Sequence, residues 1–222
     1  MKRVTLVSNL CIAVVLIGLG AAVFTADITG IFISVSAPVS NGNRQNGQIS
    51  IMFVVEEDNR FLPEILEKLK DKNIPATFFI GGNWASNNRE TVKDIAMHFE
   101  IGNHAWSNRS LARLNERDQL AEISQAHTLI REITGERANL FLPPNASFNN
   151  RTLRSAERLE YRTIMWSRNA TQGIIFDKAV YGITSGDFVM FRPSLSTYAA
   201  LPSILNEYTK RNLQIVSLSK HL

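Results

Sequence analysis

The residues of this sequence that could do chemistry are dispersed along the chain. His104 follows a short predicted strand, and the other histidines lie far from it in sequence: His98, His127 and His221. His104 could be a metal ligand, but a histidine that is hydrogen-bonded at the end of a strand explains it equally well. Ser107 and Ser147 have no histidine base beside them in sequence, so a hydrolase triad has no support. We interpret the three dispersed histidines as structural or surface residues.

A run of three acids is the second candidate for chemistry. Glu56, Glu57 and Asp58 come directly after an apolar, strand-like run and before a helical pattern. They could supply a carboxylate to a site at the end of that strand. Acids before a helix N-terminus are more often a solvated cap that interacts favourably with the helix dipole. We therefore predict a solvated cap, and a displaced carboxylate site is the alternative.

The elements that must position these residues follow an alternating pattern from Gln48 onward. The predicted strands cover residues 49–55, 76–80, 100–103, 139–142, 161–166, 187–191 and 213–217. The predicted helices cover residues 61–69, 89–98, 115–135, 150–159 and 198–211, the third of them capped by Asn115 and closed by Gly135. Because a helix follows nearly every strand, the pattern predicts an α/β protein with a largely parallel sheet. Sites in such sheets lie at the carboxyl ends of the strands.

The N-terminus carries a long apolar segment. No charged residue interrupts residues 4–26, which is enough length to cross a bilayer as a helix. Lys2 and Arg3 precede the segment, so the positive-inside rule places everything after Asp27 outside the cell. A cleaved signal peptide is the alternative. We predict a membrane anchor or signal peptide at 1–26, a stalk or linker at 27–47, and one extracytoplasmic globular domain at 48–222.

Composition excludes several classes of protein. The chain has 222 residues, of which 45% are hydrophobic and 20% charged, so it can bury a sizeable core and is not disordered. The single cysteine, Cys11, lies in the apolar segment, so the exported part can form no intramolecular disulfide. Without Lys2 and Arg3 the 24 basic residues become 22 against 20 acids. A domain so close to neutral gives no reason to expect nucleic acid as a partner.

Six short segments carry a resemblance to a known family. They are Ile74-Pro75-Ala76-Thr77-Phe78-Phe79, Glu100-Ile101-Gly102-Asn103-His104-Ala105-Trp106-Ser107, Ile133-Thr134-Gly135, Pro143-Pro144, Ile164-Met165-Trp166-Ser167 and Ala200-Leu201-Pro202. In this order and spacing, residues 48–222 resemble the polysaccharide deacetylase family, the NodB-homology domain of the carbohydrate esterase type. The resemblance implies a distorted (β/α) barrel of about seven parallel strands that acts on N-acetylated glycans such as peptidoglycan or chitin.

The resemblance also implies a metal-dependent reaction. Members of the family hydrolyse the acetamide with zinc or another divalent metal, held by one aspartate and two histidines. The metal polarises the carbonyl and activates a water, a carboxylate takes the proton of that water, and an acid protonates the leaving amine.

Most of the family's catalytic positions hold other residues in this chain. The motif Thr-Phe-Asp-Asp-Gly corresponds to residues 52–56, so the general base is replaced by Val54 and the metal-binding aspartate by Val55. His104 matches the first histidine ligand, whereas the second position holds Asn108, a much poorer ligand for a transition metal. One ligand out of three cannot hold zinc tightly.

The other losses come in pairs. Leu142 takes the place of the arginine that steadies the base in the family, so it is lost together with the base at Val54. Asn169 takes the place of the aspartate that orients the acid histidine, and Arg192 takes the place of that histidine. Replacing both partners of a buried charge pair can be nearly neutral for stability. Arg192, however, introduces a new cation.

These replacements predict a catalytically degenerate domain, anchored at the cell membrane, that binds cell-wall glycan or a surface protein. We expect no cofactor. Two alternatives stay open: an active deacetylase with a site rebuilt from His104, Asn108 and one acid of residues 56–58, and a purely structural ectodomain. A glycan groove could involve Trp106, Asn145 and Trp166, although both tryptophans also suit core packing.

Overall fold

A computed structural model of the protein describes residues 36–57 and 59–222. These residues belong to one compact unit of the chain. The apolar segment at residues 4–26, predicted to cross the membrane, lies outside them. Within the described residues, no helix combines the length and the apolar character that a membrane span requires.

A sheet of eight strands forms the centre of the part of the chain that the structure describes. The strands are β1 (Gln48–Val55), β2 (Thr77–Ile80), β3 (Glu100–Asn103), β4 (Leu140–Phe141), β5 (Arg162–Thr163), β6 (Arg168–Asn169), β7 (Phe188–Phe191) and β8 (Gln214–Ile215). Their order is β5-β4-β3-β2-β1-β7-β6, and β8 pairs with the beginning of β1. Every pairing between these strands is parallel, which confirms the predicted α/β class.

Helices connect most of these strands. They are α1 (Leu62–Asp71), α2 (Gly82–Asn87), α3 (Arg89–His98), α4 (Glu116–Thr134), α5 (Asn150–Arg158), α6 (Ile175–Val180), α7 (Leu195–Lys210) and α8 (Leu218–His221). The ends of α4 lie where the sequence predicts them: the Asn115 side chain accepts a hydrogen bond from the Asp118 amide, and Gly135 has a φ of 74°. Only a residue that tolerates positive φ closes a helix in this way.

Strand β1 is buried on both faces, as expected of a central parallel strand. Ile51, Phe53 and Val55 lie in an outer core between the sheet and the helices. Met52 and Val54 point to the other face and belong to a smaller inner cluster. The continuous apolar run of β1 follows from these two environments.

The structure differs from the predicted elements where segments are short or polar. The strand predicted at 161–166 is reduced to the two residues of β5, and β6 makes an additional strand of residues 168–169. The sequence of α2 is rich in asparagine and starts with glycine, so no helical pattern indicates it. Helices α6 and α8 contain six and four residues, too few to show a period.

Part of the predicted linker contacts the sheet. Val39 forms a parallel bridge with Ile164, and Asn41 forms an antiparallel bridge with Asp187. The boundary between stalk and domain at residue 47 stays a prediction, but these contacts show that the residues just before β1 pack on the domain.

Candidate functional site

The candidate site lies at the carboxyl ends of parallel strands. Glu56 follows β1, His104 follows β3, Leu142 follows β4 and Arg192 follows β7, while Asn169 is the last residue of β6. Because these strands all run in the same direction, their ends meet at one edge of the sheet. Residues far apart in sequence are thereby brought to one place.

The imidazole of His104 is hydrogen-bonded through both nitrogens. Nδ1 lies 2.6 Å from the carbonyl oxygen of Leu142, and Nε2 lies 2.6 Å from Oε1 of Glu56. A carbonyl oxygen can only accept, so Nδ1 carries a hydrogen and donates it. The histidine side chain is 3% exposed. His104 is therefore a strand-end histidine held by two hydrogen bonds, and its Nε2 atom does not face open space.

Glu56 is at the centre of the site. Its side chain is 6% exposed, in contrast to the solvated cap predicted for this acidic run, whereas Glu57 is exposed as expected. Besides His104, the carboxylate accepts a hydrogen bond from Nδ2 of Asn108 at 2.8 Å and one from the Arg192 guanidinium at 3.3 Å. The reason for the difference is that the carboxylate finds three donors at the strand ends, and this favours burial over solvation. Asp58 lies outside the described residues.

The charge state of Glu56 follows from these contacts. Burial raises the pKa of the Glu56 carboxyl, but the hydrogen bond from His104 and the charges of His104 and Arg192 outweigh burial and hold the pKa below its usual value. Glu56 is thus an anion at neutral pH. Since an ionised carboxylate can only accept, His104 must donate from Nε2 as well as from Nδ1 and forms an ion pair with Glu56.

Asn108 is oriented by a second asparagine. Its amide oxygen accepts a hydrogen bond from Nδ2 of Asn145 at 2.7 Å, while its NH2 group points at Glu56. The oxygen that could bind a metal is therefore turned away from His104. Asn145 adopts a left-handed backbone conformation with a φ of 55°, which asparagine tolerates better than most residues.

The floor of the site is apolar. Val54 and Leu142, which stand at the family's positions for the base and its arginine, are both buried in the inner cluster together with Met190. Val55 instead lies in the outer core, on the opposite face of β1. The side chains at these positions can neither bind a metal nor accept a proton.

The site opens into a cleft of about 210 Å³. The cleft is lined by Glu56, His104, Arg192, the apolar floor, and Pro143, Asn145, Ala146, Trp166, Asn169, Thr171 and Gln172. Two of the three predicted groove residues, Asn145 and Trp166, are thus in the cleft. Trp106 instead lines a separate shallow depression beside α4 and packs against Gly82.

Asn169 is hydrogen-bonded to Thr171 and not to Arg192, the position that the resemblance pairs with it. Its side-chain oxygen accepts hydrogen bonds from the backbone and hydroxyl of Thr171, at 3.1 and 2.7 Å. It lines the same cleft as Arg192 but is engaged in a local turn. Among the described residues, no hydrogen bond joins Asn169 to Arg192.

The donor set does not fit the zinc ion that the resemblance implies. Zinc is bound by three or four N, O or S ligands at about 2.0–2.3 Å around one point. Here Val55 offers only methyl groups, Asn108 presents its NH2, and His104 is bonded to Glu56. Within residues 36–57 and 59–222, no group of three His, Cys, Asp or Glu side chains could hold a metal.

Comparison with known proteins identifies the family. The family model described as polysaccharide deacetylase matches residues 42–164. The chain therefore belongs to the polysaccharide deacetylase family. It is similar to the uncharacterized protein YlxY of Bacillus subtilis, 24% identical over 177 residues, which covers 77% of this chain and 56% of YlxY. It is also similar to a peptidoglycan-N-acetylglucosamine deacetylase of Bacillus cereus, 27% identical over 151 residues, which covers 67% of this chain and 55% of that protein.

Solved structures show the same fold. A protein of Bacillus anthracis described as a CE4 family pseudoenzyme superposes with a TM-score of 0.80 at 24% identity, covering 83% of this chain and 68% of that one. The parallel (β/α) half-barrel is thus the fold of this family. The chain spans about half the length of the curated relatives it matches.

From the sequence, Glu56 was placed in the site only as an alternative, because the acidic run was predicted to be a solvated cap. The acid replaces the glycine that ends the family's first motif, and the strand before it alternates, so that Val54 and Glu56 share a face while Val55 points away. This alternation is the signal that could have placed Glu56 beside His104.

Proposed function

We propose that the chain is a catalytically inactive polysaccharide deacetylase that binds cell-wall glycan in its cleft without hydrolysing it. Family membership supports the glycan as the ligand class. The cleft supports binding, because Trp166 offers an aromatic face and Asn145 and Asn169 offer amides. The pseudoenzyme in the same fold is a precedent for lost activity.

One observation carries the loss of activity. The carboxylate of Glu56 is hydrogen-bonded to both of the ligand positions that still hold polar residues, His104 and Asn108. A metal ion bridging these two residues would have to displace the carboxylate and break its ion pair with Arg192. In the structure, the side chains of His104, Asn108 and Arg192 all donate hydrogen bonds to Glu56.

An inactive deacetylase should not hydrolyse N-acetylated sugars. The purified chain should release no acetate from N-acetylglucosamine oligomers when zinc, cobalt or manganese is supplied. Release that depends on one of these metals would refute the proposal.

A second experiment addresses binding and has a matched control within the chain. Trp166→Ala should weaken co-sedimentation with insoluble peptidoglycan roughly tenfold, because the ring face in the cleft is lost. Trp106→Ala removes the same side chain from outside the cleft and should leave binding unchanged. Equal losses in both variants would speak against the cleft as the binding site.

The active alternative has a specific observation in its favour. Glu56, His104 and Asn108 do converge, as a rebuilt site requires. They converge on each other, however, at 2.6 and 2.8 Å, and leave no gap for a shared metal. We therefore favour binding over catalysis, and the acetate measurement separates the two.

The location at the membrane is part of the proposal. Its support is the uncharged apolar run at residues 4–26 between Lys2-Arg3 and Asp27. The full chain should stay with membranes after an alkaline carbonate wash, whereas a chain that starts at residue 36 should be released. A full chain that is found in the wash would contradict the anchor.

A further inference from the structure

Arg192 is a cation with spare hydrogen-bonding capacity in the cleft. A guanidinium has five N–H donors, and Arg192 uses one of them, at 3.3 Å, on Glu56. Within residues 36–57 and 59–222, Glu56 is its only polar partner. The Arg192 side chain is 49% exposed and lines the cleft. Four donors are therefore available to a ligand.

The charge of Glu56 does not cancel this capacity. The carboxylate accepts from His104, Asn108 and Arg192 and is almost fully buried. Its acceptor sites are thus directed at protein donors. Among the described residues that line the cleft, Glu56 is the only acid. A ligand in the cleft therefore meets an exposed guanidinium with free donors and a carboxylate whose acceptor sites are already occupied.

The other residues that line the cleft indicate which kind of molecule could bind beside Arg192. Trp166 is half-buried and presents an aromatic surface, and Val54 and Met190 provide apolar contact. The amides of Asn145 and Asn169 add polar contacts. A volume of about 210 Å³ is below that of sites for drug-sized molecules and suits a single sugar unit.

We propose that the cleft is selective for a sugar unit that bears a carboxylate, and that Arg192 binds this carboxylate. The planar guanidinium can form two parallel N–H···O bonds to a carboxylate, a geometry that a hydroxyl or an acetamide cannot offer. A lactyl ether, as in N-acetylmuramic acid, and a uronic acid are the two sources of this chemistry. The inference rests on the proposed glycan-binding function and names the substrate class for it.

The test is calorimetric titration of the full chain with matched ligands. The probes are a disaccharide of N-acetylglucosamine and N-acetylmuramic acid, the methyl ester of the same disaccharide, and a disaccharide that carries glucuronic acid. The free acid should bind at least tenfold more tightly than its ester, since a hydrogen bond to a charged group is lost in the ester. The glucuronic acid probe distinguishes a selective lactyl site from a site for any sugar carboxylate, and tight binding of either acid supports the inference.

Variants test whether Arg192 is the residue that produces the preference for the acid over the ester. Arg192→Gln should bind acid and ester equally, and Arg192→Lys should keep part of the preference because it keeps the charge. Arg117→Gln removes an equal charge from outside the cleft and should behave like the wild type. Thermal unfolding of each variant shows whether it folds, and the comparison of acid with ester in the wild type does not depend on any variant.

Two negative outcomes are distinguishable. Equal binding of acid and ester by the wild type would overturn the carboxylate preference and leave glycan binding intact. Absence of binding for every sugar would overturn the proposed function and this inference with it.

Discussion

Glu56 is hydrogen-bonded through its carboxylate to both His104 and Asn108. It compensates the charge of His104 and that of Arg192 with one carboxylate. Such an arrangement is stable only as a set, because removal of one partner of a buried ion pair leaves the other charge uncompensated.

Two substitutions at residue 56 should have different effects on stability. Glu56→Ala should lower the free energy of unfolding by about 3 kcal/mol, because three donors lose their acceptor. Glu56→Gln should lower it by about 1 kcal/mol, because the amide can donate to a neutral His104 and still accept from Asn108. Urea unfolding measures both. An alanine variant as stable as the wild type would show that the network contributes nothing.

At the residue scale, the sequence predicted which polar side chains of the family are absent better than it predicted the contact between Glu56 and His104. Val54 and Leu142 were expected to replace both partners of a charge pair with neutral side chains, and both lie in the inner cluster. The bond from Glu56 to His104 joins residues 48 positions apart, and it depends on the parallel register of β1, β2 and β3. Such a contact cannot be predicted without knowing which strands are neighbours and in which register they pair.

At the scale of elements, close packing between neighbouring strands keeps the site edge in place. Gly102 in β3 lies beside Phe79 of β2: a Cβ atom on the glycine would come within 2.4 Å of the ring. Phe79 is fully buried in the inner cluster, so the ring cannot move aside without disturbing the floor of the cleft.

Gly102→Ala should therefore lower the free energy of unfolding by about 2 kcal/mol through overpacking. Gly81→Ala is the matched control, because a Cβ atom there meets its nearest neighbour at an ordinary 3.5 Å and the residue has a φ of −73°. The control should change stability by less than about 0.5 kcal/mol. Similar losses in both variants would contradict the packing described for β3.

The short C-terminal helix α8 is held by a neutral histidine. The hydroxyl of Ser50 donates its single hydrogen to the carbonyl of Val216, so it must accept from Nδ1 of His221 at 2.9 Å. Nε2 of His221 is buried and has no hydrogen-bond partner among the residues that the structure describes. Burial lowers the pKa of His221 below its ordinary value of 6.5.

This arrangement predicts a loss of stability in mild acid. As the pH falls below 6.5, the unfolded chain binds a proton at His221 before the folded protein does, so the free energy of unfolding decreases until the lowered folded pKa is passed. His221→Asn should make the dependence of unfolding on pH shallower in this window. His98→Asn, at a half-exposed histidine, is the control for the substitution itself. If the slopes of the wild type and His221→Asn coincide, the neutral histidine does not contribute.

Among the elements, capped and periodic ones could be predicted and short ones could not. Helix α4 was predicted with its caps because Asn115 and Gly135 mark both ends chemically. Strand β6 and helix α6 contain two and six residues, and tertiary contacts determine them rather than local sequence. The course of the chain between β5 and β7 was therefore the least predictable part of the domain.

At the scale of the whole molecule, the chain shares the fold of its family, and we propose that the chemistry of its site differs. The parallel sheet belongs to the fold shared with the polysaccharide deacetylase family, and the side chains at its strand ends form an ion pair over an apolar floor. A fold determines where a site lies, but the side chains determine what it does. The proposed loss of hydrolysis therefore depends on the carboxylate of Glu56, which occupies His104 and Asn108.

The most direct test is the zinc content of the full chain after incubation with zinc and dialysis, measured by elemental analysis beside His104→Ala. Our prediction is no stoichiometric zinc in the wild type and no difference between the two proteins. One zinc per wild-type chain that is lost in His104→Ala would contradict it, because the metal would then be bound at the position assigned to Glu56.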